Sequence, residues 1–140
     1  MNHLFDLTNL LILPVWLALI LQPRGPLAAR FMQPPWICGL LAIIYGTLIL
    51  PPFTSLLPLL LRPRLQEIQL LLSSPLGATA AWLHFLCLDL FLARSIWRDA
   101  LERGASLPFL RLCLILNLLF GPLGLLLYGL GRPKIIPRAV

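Results

Sequence analysis

Apolar residues in this chain come in long runs, not in the alternations or narrow stripes by which a water-soluble fold marks its inner face. Four of these runs approach the roughly 18 to 20 residues that cross a hydrocarbon core as helices. The first covers 4–21 and stops at Gln22-Pro23, because proline has no amide donor and restricts the residue before it. Pro14 lies inside this run and is a place for a kink. Residues 24–35 read as a short polar connection, after which Trp36 opens a second helix at the interface depth that indoles favour. Pro51-Pro52 interrupts that second run. The apolar piece 53–61 is half a span, either a kinked continuation or an interfacial segment. In 65–72, Gln66, Glu67 and Gln69 are mixed with leucines, as in a short helix lying on a surface.

Ser74-Pro75 supplies a cap and a first-turn proline for a third helix, which can continue to Gly104. Such a helix is about 43 Å long at 1.5 Å per residue, more than the hydrocarbon needs, so its last turns protrude into water. There Arg98 with Glu102 and Asp99 with Arg103 form i,i+4 pairs. Ser106 and Pro108 start a fourth helix over 106–130, ended by Gly131, Arg132 and Pro133. The predicted fold class is all-α: a polytopic membrane helix bundle of about four transmembrane helices, with a short interfacial helix between the second and third. Residues 1–140 form a single integral membrane domain in this reading.

Composition agrees with burial in lipid. Of 140 residues, 59% are hydrophobic and 11% charged, and the mean hydropathy is +0.91. A soluble domain of this size could not clothe itself with so few charges. The net charge of +6 does not point to nucleic acid, because the basic residues sit between apolar runs, where they meet lipid headgroups. A four-span path puts Arg62, Arg64, Arg132, Lys134 and Arg138 on one side and Arg24, Arg30, Arg94, Arg98 and Arg103 on the other, so charge bias leaves the orientation tied. On the same path Trp36 and Trp97 fall at one membrane boundary, as an aromatic belt. Cys38, Cys87 and Cys113 lie apart, without metal-chelating or disulfide-framework spacing, and read as core thiols. No signal or transit segment precedes the first run, which suits a retained helix and a bacterial, organelle-encoded or mature chain.

Polar groups at membrane depth carry the functional information: Asp6, Asn9, His84, Asp89 and Asn117. An ionisable group near the bilayer centre costs several kcal/mol unless paired, so such residues mark sites, pathways or interhelix contacts. Asp89 and His84 suit either a ligand site or hydrogen bonding between helices. Asn9 and Asn117 suit interhelical bonding, and Asp6, in a first helical turn, suits the helix dipole. His84 and Asp89 lie about 140° apart around one axis, so the third helix must be flanked on more than one side if neither is to face lipid. On the fourth helix Asn117, Gly121, Gly124 and Tyr128 fall on one face with little bulk at its centre, fit for helix packing or for a flat ligand. Phosphate-binding loops, nucleophile triads and metal clusters are not recognisable, and no cofactor is implied.

The run Phe5-Asp6-Leu7-Thr8-Asn9-Leu10, followed by Leu13-Pro14-Val15-Trp16, resembles the opening of the neoxanthin-synthase-like family, named from abscisic-acid-deficient plants. Trp82-Leu83-His84-Phe85-Leu86-Cys87-Leu88-Asp89-Leu90-Phe91 is similar to that family's W-x-H-x-x-x-x-D-L-F core. Leu119-Phe120-Gly121-Pro122-Leu123-Gly124-Leu125 is similar to its F-G-P-x-G-L ending. The likeness covers nearly the whole chain. It departs at Cys87 and Leu88, where relatives carry a small residue and an aromatic, and at Ala93, where glycine is usual.

The resemblance implies a multi-pass protein of a thylakoid or bacterial inner membrane, and it implies isomerisation of a carotenoid epoxide to an allenic alcohol. That reaction calls for an acid to open the epoxide and a base to take a vinylic proton. His84, Asp89 and Asp6 are then the catalytic candidates, with Asn9, Trp82, Asn117, Gly121 and Gly124 as substrate or pigment contacts. The expected partners are membrane lipid, a carotenoid or other apolar ligand, and a photosynthetic membrane complex. The alternative is a non-enzymatic pigment-binding or assembly subunit of such a complex. A small transporter is disfavoured because no polar pore stripe runs along the chain.

Overall fold

The computed structural model describes residues 1–133, and every described element is helical. In chain order these are α1 (Asn2–Leu21), α2 (Pro26–Met32), α3 (Trp36–Ile49), α4 (Phe53–Leu61), α5 (Leu65–Ser73), α6 (Pro75–Glu102), α7 (Leu107–Phe120) and α8 (Pro122–Gly131). By length and apolarity α1 and α6 can each cross a membrane, and α2 with α3, bent by 44° at their junction, together make a third candidate. The chain clusters into two compact units, Met1–Leu10 with Trp36–Leu88 and Leu11–Pro35 with Asp89–Val140, and α1 and α6 contribute turns to both.

Along α1 the buried positions are Thr8, Ile12, Val15, Trp16, Ala18 and Leu19, a stripe at helical spacing, while Leu7, Leu10, Leu13, Leu17 and Leu21 are exposed. Apolar residues on both the inner and the outer face are unlike a surface helix in water, and the leucine-rich outer face fits solvation by acyl chains. Pro14 is carried within the unbroken helix. On α6, Leu83, Leu86, Leu90, Ala93, Ile96, Trp97 and Ala100 are buried, and Phe85, Leu88 and Phe91 face outward. Ala93 and Ala100 let neighbouring helices approach closely, as small residues do between helices in lipid.

In the first unit, Ile37, Leu41, Ala80 and Leu83 are buried, and the Cys87 thiol donates to the Cys38 carbonyl at 3.4 Å. Neither α4 nor α5 buries a residue, so the half-span 53–61 is a short surface helix of its own, followed by the second short helix that Gln66 and Glu67 indicated. Ser74 caps α6: its Oγ accepts from the Gly77 amide at 3.0 Å, satisfying one of the unpaired first-turn donors.

The second unit departs from expectation in three places. Residues 24–35 are not a plain connection, because α2 forms within them behind Pro26, whose fixed φ suits a first helical position. Trp97 does not belong to an aromatic belt; it is buried and its Nε1 donates to the Pro23 carbonyl at 2.5 Å. Most consequentially, the single fourth helix over 106–130 is two helices folded back on each other at Gly121. There φ is +31°, which L-residues with a side chain adopt at a cost, and Pro122 then restarts the chain. Gly124 of α8 lies so close to the backbone of Asn117 on α7 that a Cβ would collide with it. Further along, Gly131 meets the Phe109 ring, and the Phe109 and Tyr128 rings stack at 6.1 Å. These pairings, 117 with 124 and 109 with 128 to 131, are those of an antiparallel hairpin whose tip is Gly121-Pro122.

Arginines bind the open ends of this unit. Arg111 donates to the Leu21 carbonyl at 2.7 Å and Arg24 to the Ala105 carbonyl at 2.8 Å. Arg94 reaches the Met32 and Gln33 carbonyls at 2.7 and 2.8 Å. Carbonyls at helix C-termini lack intrahelical donors, and a guanidinium supplies them.

Candidate functional site

Asp89 stands near the middle of α6, half-buried, and the α7–α8 hairpin brings its tip to that level. Asn117, the last buried polar residue of α7, donates from Nδ2 to the Asp89 backbone carbonyl at 2.8 Å. Gly121 packs directly on the Asp89 carboxylate; a Cβ there would strike Oδ1. The carboxylate therefore lies against the start of α8, where the helix dipole favours an acidic oxygen. Asn117 is fully buried, and its Oδ1 makes no hydrogen bond among the described residues; the same holds for Nε1 of the buried Trp16. A buried amide oxygen and a buried indole N–H left unpaired each cost about 1 to 3 kcal/mol.

At the mouth of the hairpin Asp99 gathers three partners. Arg103 Nε lies 2.8 Å from Oδ2, Tyr128 Oη donates to Oδ2 at 2.5 Å, and Arg132 contacts both oxygens at 2.7 and 2.5 Å. Arg103 also reaches the Pro133 carbonyl. The Asp99 carboxylate raises the Arg132 guanidinium above its ordinary value through that hydrogen bond. The i,i+4 spacing announced Arg103, and Arg98 meets Glu102 more loosely at 4.0 Å. Tyr128 and Arg132 were not evident from spacing, since a straight fourth helix would carry Arg132 away from Asp99.

Other candidates belong to the first unit. Asn9 is held by Phe5, to whose carbonyl its Nδ2 donates at 2.8 Å, and its Oδ1 accepts from Trp82 Nε1 at 3.0 Å. The Phe5 and Trp82 rings lie 5.6 Å apart. Asp6 is exposed and lines a surface hollow with Phe5, Pro75 and Thr79. His84 is exposed, against the expectation that it avoids lipid, with its ring 5.6 Å from that of Tyr45. Both border an apolar hollow of about 220 Å³ walled by Ile49, Leu56, Leu60 and Leu72. Tyr45 carried no sequence signal beyond lying in an apolar run.

Each of the three recognisable motifs thus ends at a contact between helices. The opening motif meets the core motif at Asn9 and Trp82, and the core motif meets the ending motif at Asp89 and Gly121. A family model described as ABA DEFICIENT 4-like matches residues 3–128. The chain belongs to the ABA DEFICIENT 4-like family. It is 28% identical over 133 residues to the Arabidopsis thaliana protein named ABA DEFICIENT 4, chloroplastic, covering 89% of this chain and 58% of that protein. The chain therefore spans little more than half the length of this relative. No solved structure matches. No group of three or more potential metal-ligating side chains occurs among the described residues.

Proposed function

We propose that this protein acts inside the membrane on a carotenoid, isomerising an epoxide to an allenic alcohol, with Asp89 as a proton-transferring residue. Family membership supports the substrate class, through the reaction that the resemblance implies. The observation that carries the role of Asp89 is the meeting of a half-buried carboxylate with a helix start at mid-helix depth, beside a buried amide oxygen that lacks a partner.

The reaction is balanced without oxidant or reductant. A C–O bond of the epoxide breaks and its oxygen gains a proton. A neighbouring vinylic C–H loses one, and that electron pair becomes the second double bond of the allene. Acid and base are both required, and a carboxyl group held at one place serves either direction of transfer. The polar end of a xanthophyll also offers a hydroxyl, which can donate to the unpaired Asn117 Oδ1 beside Asp89. The thylakoid or bacterial inner membrane is the setting this substrate requires.

The test is pigment analysis of cells that make violaxanthin and express the protein. An allenic product that appears with the wild-type chain and falls by about 100-fold or more with Asp89→Asn, at equal membrane insertion, is the expected result; a positioned acid or base contributes about that much. His84→Ala in the same assay decides whether the imidazole shares the chemistry. Undiminished turnover in both variants removes them from catalysis. Co-purifying carotenoid with no product in any sample favours the pigment-binding or assembly role.

A further inference from the structure

We infer that α7 and α8 form a re-entrant hairpin that enters the membrane from an arginine-lined face and leaves through the same face, and that this face meets the anionic, cytoplasmic-type leaflet. The proposal does not depend on the reaction the protein performs.

The first argument is length. At 1.5 Å per residue, α7 with 14 residues is about 21 Å long and α8 with 10 residues about 15 Å. Neither reaches across about 30 Å of hydrocarbon. The second is direction. Starting after α6 ends, α7 runs back along it until Gly121 lies on Asp89, and α8 returns until Tyr128 and Arg132 lie on Asp99. Ten residues of α6 separate those two anchors, about 15 Å of helix. The hairpin therefore goes in about half a membrane thickness and comes back. Its backbone turn at the tip is tolerable in lipid because it satisfies itself: the Gly121 amide donates to the Asn117 carbonyl and the Gly121 carbonyl accepts from the Gly124 and Leu125 amides, while the side chains of Phe120, Pro122 and Leu123 face outward.

The third argument is charge. The second unit holds Arg24, Arg30, Arg94, Arg98, Arg103, Arg111 and Arg132 among the described residues, against Asp99 and Glu102 outside the mid-helix Asp89. Three of the arginines, 24, 94 and 111, spend their hydrogen bonds on backbone carbonyls, which leaves their charge uncompensated. Arg30 is exposed and makes no ion pair among the described residues. Helix ends and hairpin mouth are stitched together by these same side chains, so the excess positive charge collects at one end of the unit. A surface of that kind is matched by anionic headgroups, and Lys/Arg excess near span ends marks the cytoplasmic side. Within this unit Arg132 thus joins Arg24 and Arg103 at the same end; Lys134 and Arg138 lie outside the described residues.

Single cysteines decide this. Ser106→Cys, at the start of α7, and Pro133→Cys, after α8, are placed separately in the full chain with Cys38, Cys87 and Cys113 replaced by alanine, in bacterial inner membrane, and probed with a membrane-impermeant maleimide. A parallel sample opened with detergent shows that both sites can react. Pro133 is chosen because the bond from Arg103 goes to its backbone carbonyl, which the substitution keeps. The expected result is that neither site labels from the periplasm of intact cells and both label at least tenfold more from the cytoplasmic face of inverted vesicles. Labelling from opposite faces means that α7 and α8 together cross the membrane, and it overturns the proposal. Labelling of both from the periplasm overturns the orientation. As a lipid test, the protein in nanodiscs of phosphatidylcholine with spin-labelled phosphatidylglycerol should bind the anionic lipid several-fold over the neutral one. Arg30→Gln with Arg98→Gln should reduce that preference, and an unchanged preference overturns the assignment of the surface.

Discussion

Asn117 shows how a residue can be flagged correctly and placed by the wrong geometry. Its amide at membrane depth demanded a partner, and it has one in the Asp89 carbonyl. Yet it shares no helical face with Gly124 and Tyr128: the three stand on opposite arms of a hairpin, brought together by the turn between them. Glycine is required at 124 because the Asn117 backbone occupies the space a side chain would take. Gly124→Leu is therefore expected to lower stability by about 1 to 3 kcal/mol, the range of overpacked sites, while Leu123→Ala at the exposed neighbouring position changes little. Melting of the purified protein in detergent distinguishes them, and equal shifts would mean that α8 does not pack on α7 through Gly124. In the first unit the Trp82–Asn9 bond is a lipid-depth hydrogen bond of the ordinary kind. Trp82→Phe keeps the ring beside Phe5 and should cost about 0.6 kcal/mol by the same measurement.

Among the elements, α1, α3, α5 and α6 could be read from the chain because local chemistry marks their ends: Pro23, Trp36, Ser74 and Gly104 each act where they stand. The half-span 53–61 was equally bounded by prolines and arginines. α2 was not legible because seven residues with a single basic position, Arg30, make no periodic signal. The break between α7 and α8 was written in the sequence as Phe120-Gly121-Pro122, a helix stop followed by a helix start. What hid it was continuity of hydrophobicity: in water a fold-back exposes polar turn residues, whereas a turn inside a membrane whose backbone groups bond to one another needs none. The same reasoning predicts a specific defect at the mouth. Asp99→Asn removes the negative charge and one of the two oxygens that Tyr128, Arg103 and Arg132 share, so the melting temperature should fall and become less sensitive to salt; a salt response equal to wild type would show that the cluster does not hold α8.

At the scale of the molecule, helical class and family were legible and Asp89, Asn117 and Gly121 stood out one by one, while their meeting was not legible, because it depends on a reversal of chain direction that changes which residues meet. Read as a straight fourth helix, residues 106–130 carry Arg132 to the far membrane face and leave Asp99 with only its helical neighbour. Folded at Gly121, they bring the ending motif to Asp89 and put both helix ends at the arginines. Site and orientation both rest on that hairpin. Spin labels on Ser106→Cys and Pro133→Cys, measured by double electron–electron resonance in the reconstituted double variant with Cys38, Cys87 and Cys113 replaced by alanine, test it most directly. The hairpin predicts a separation of roughly 10 to 20 Å, one to two helix diameters; a continuous helix would place the labels about 40 Å apart, and a distance distribution centred there would contradict the account.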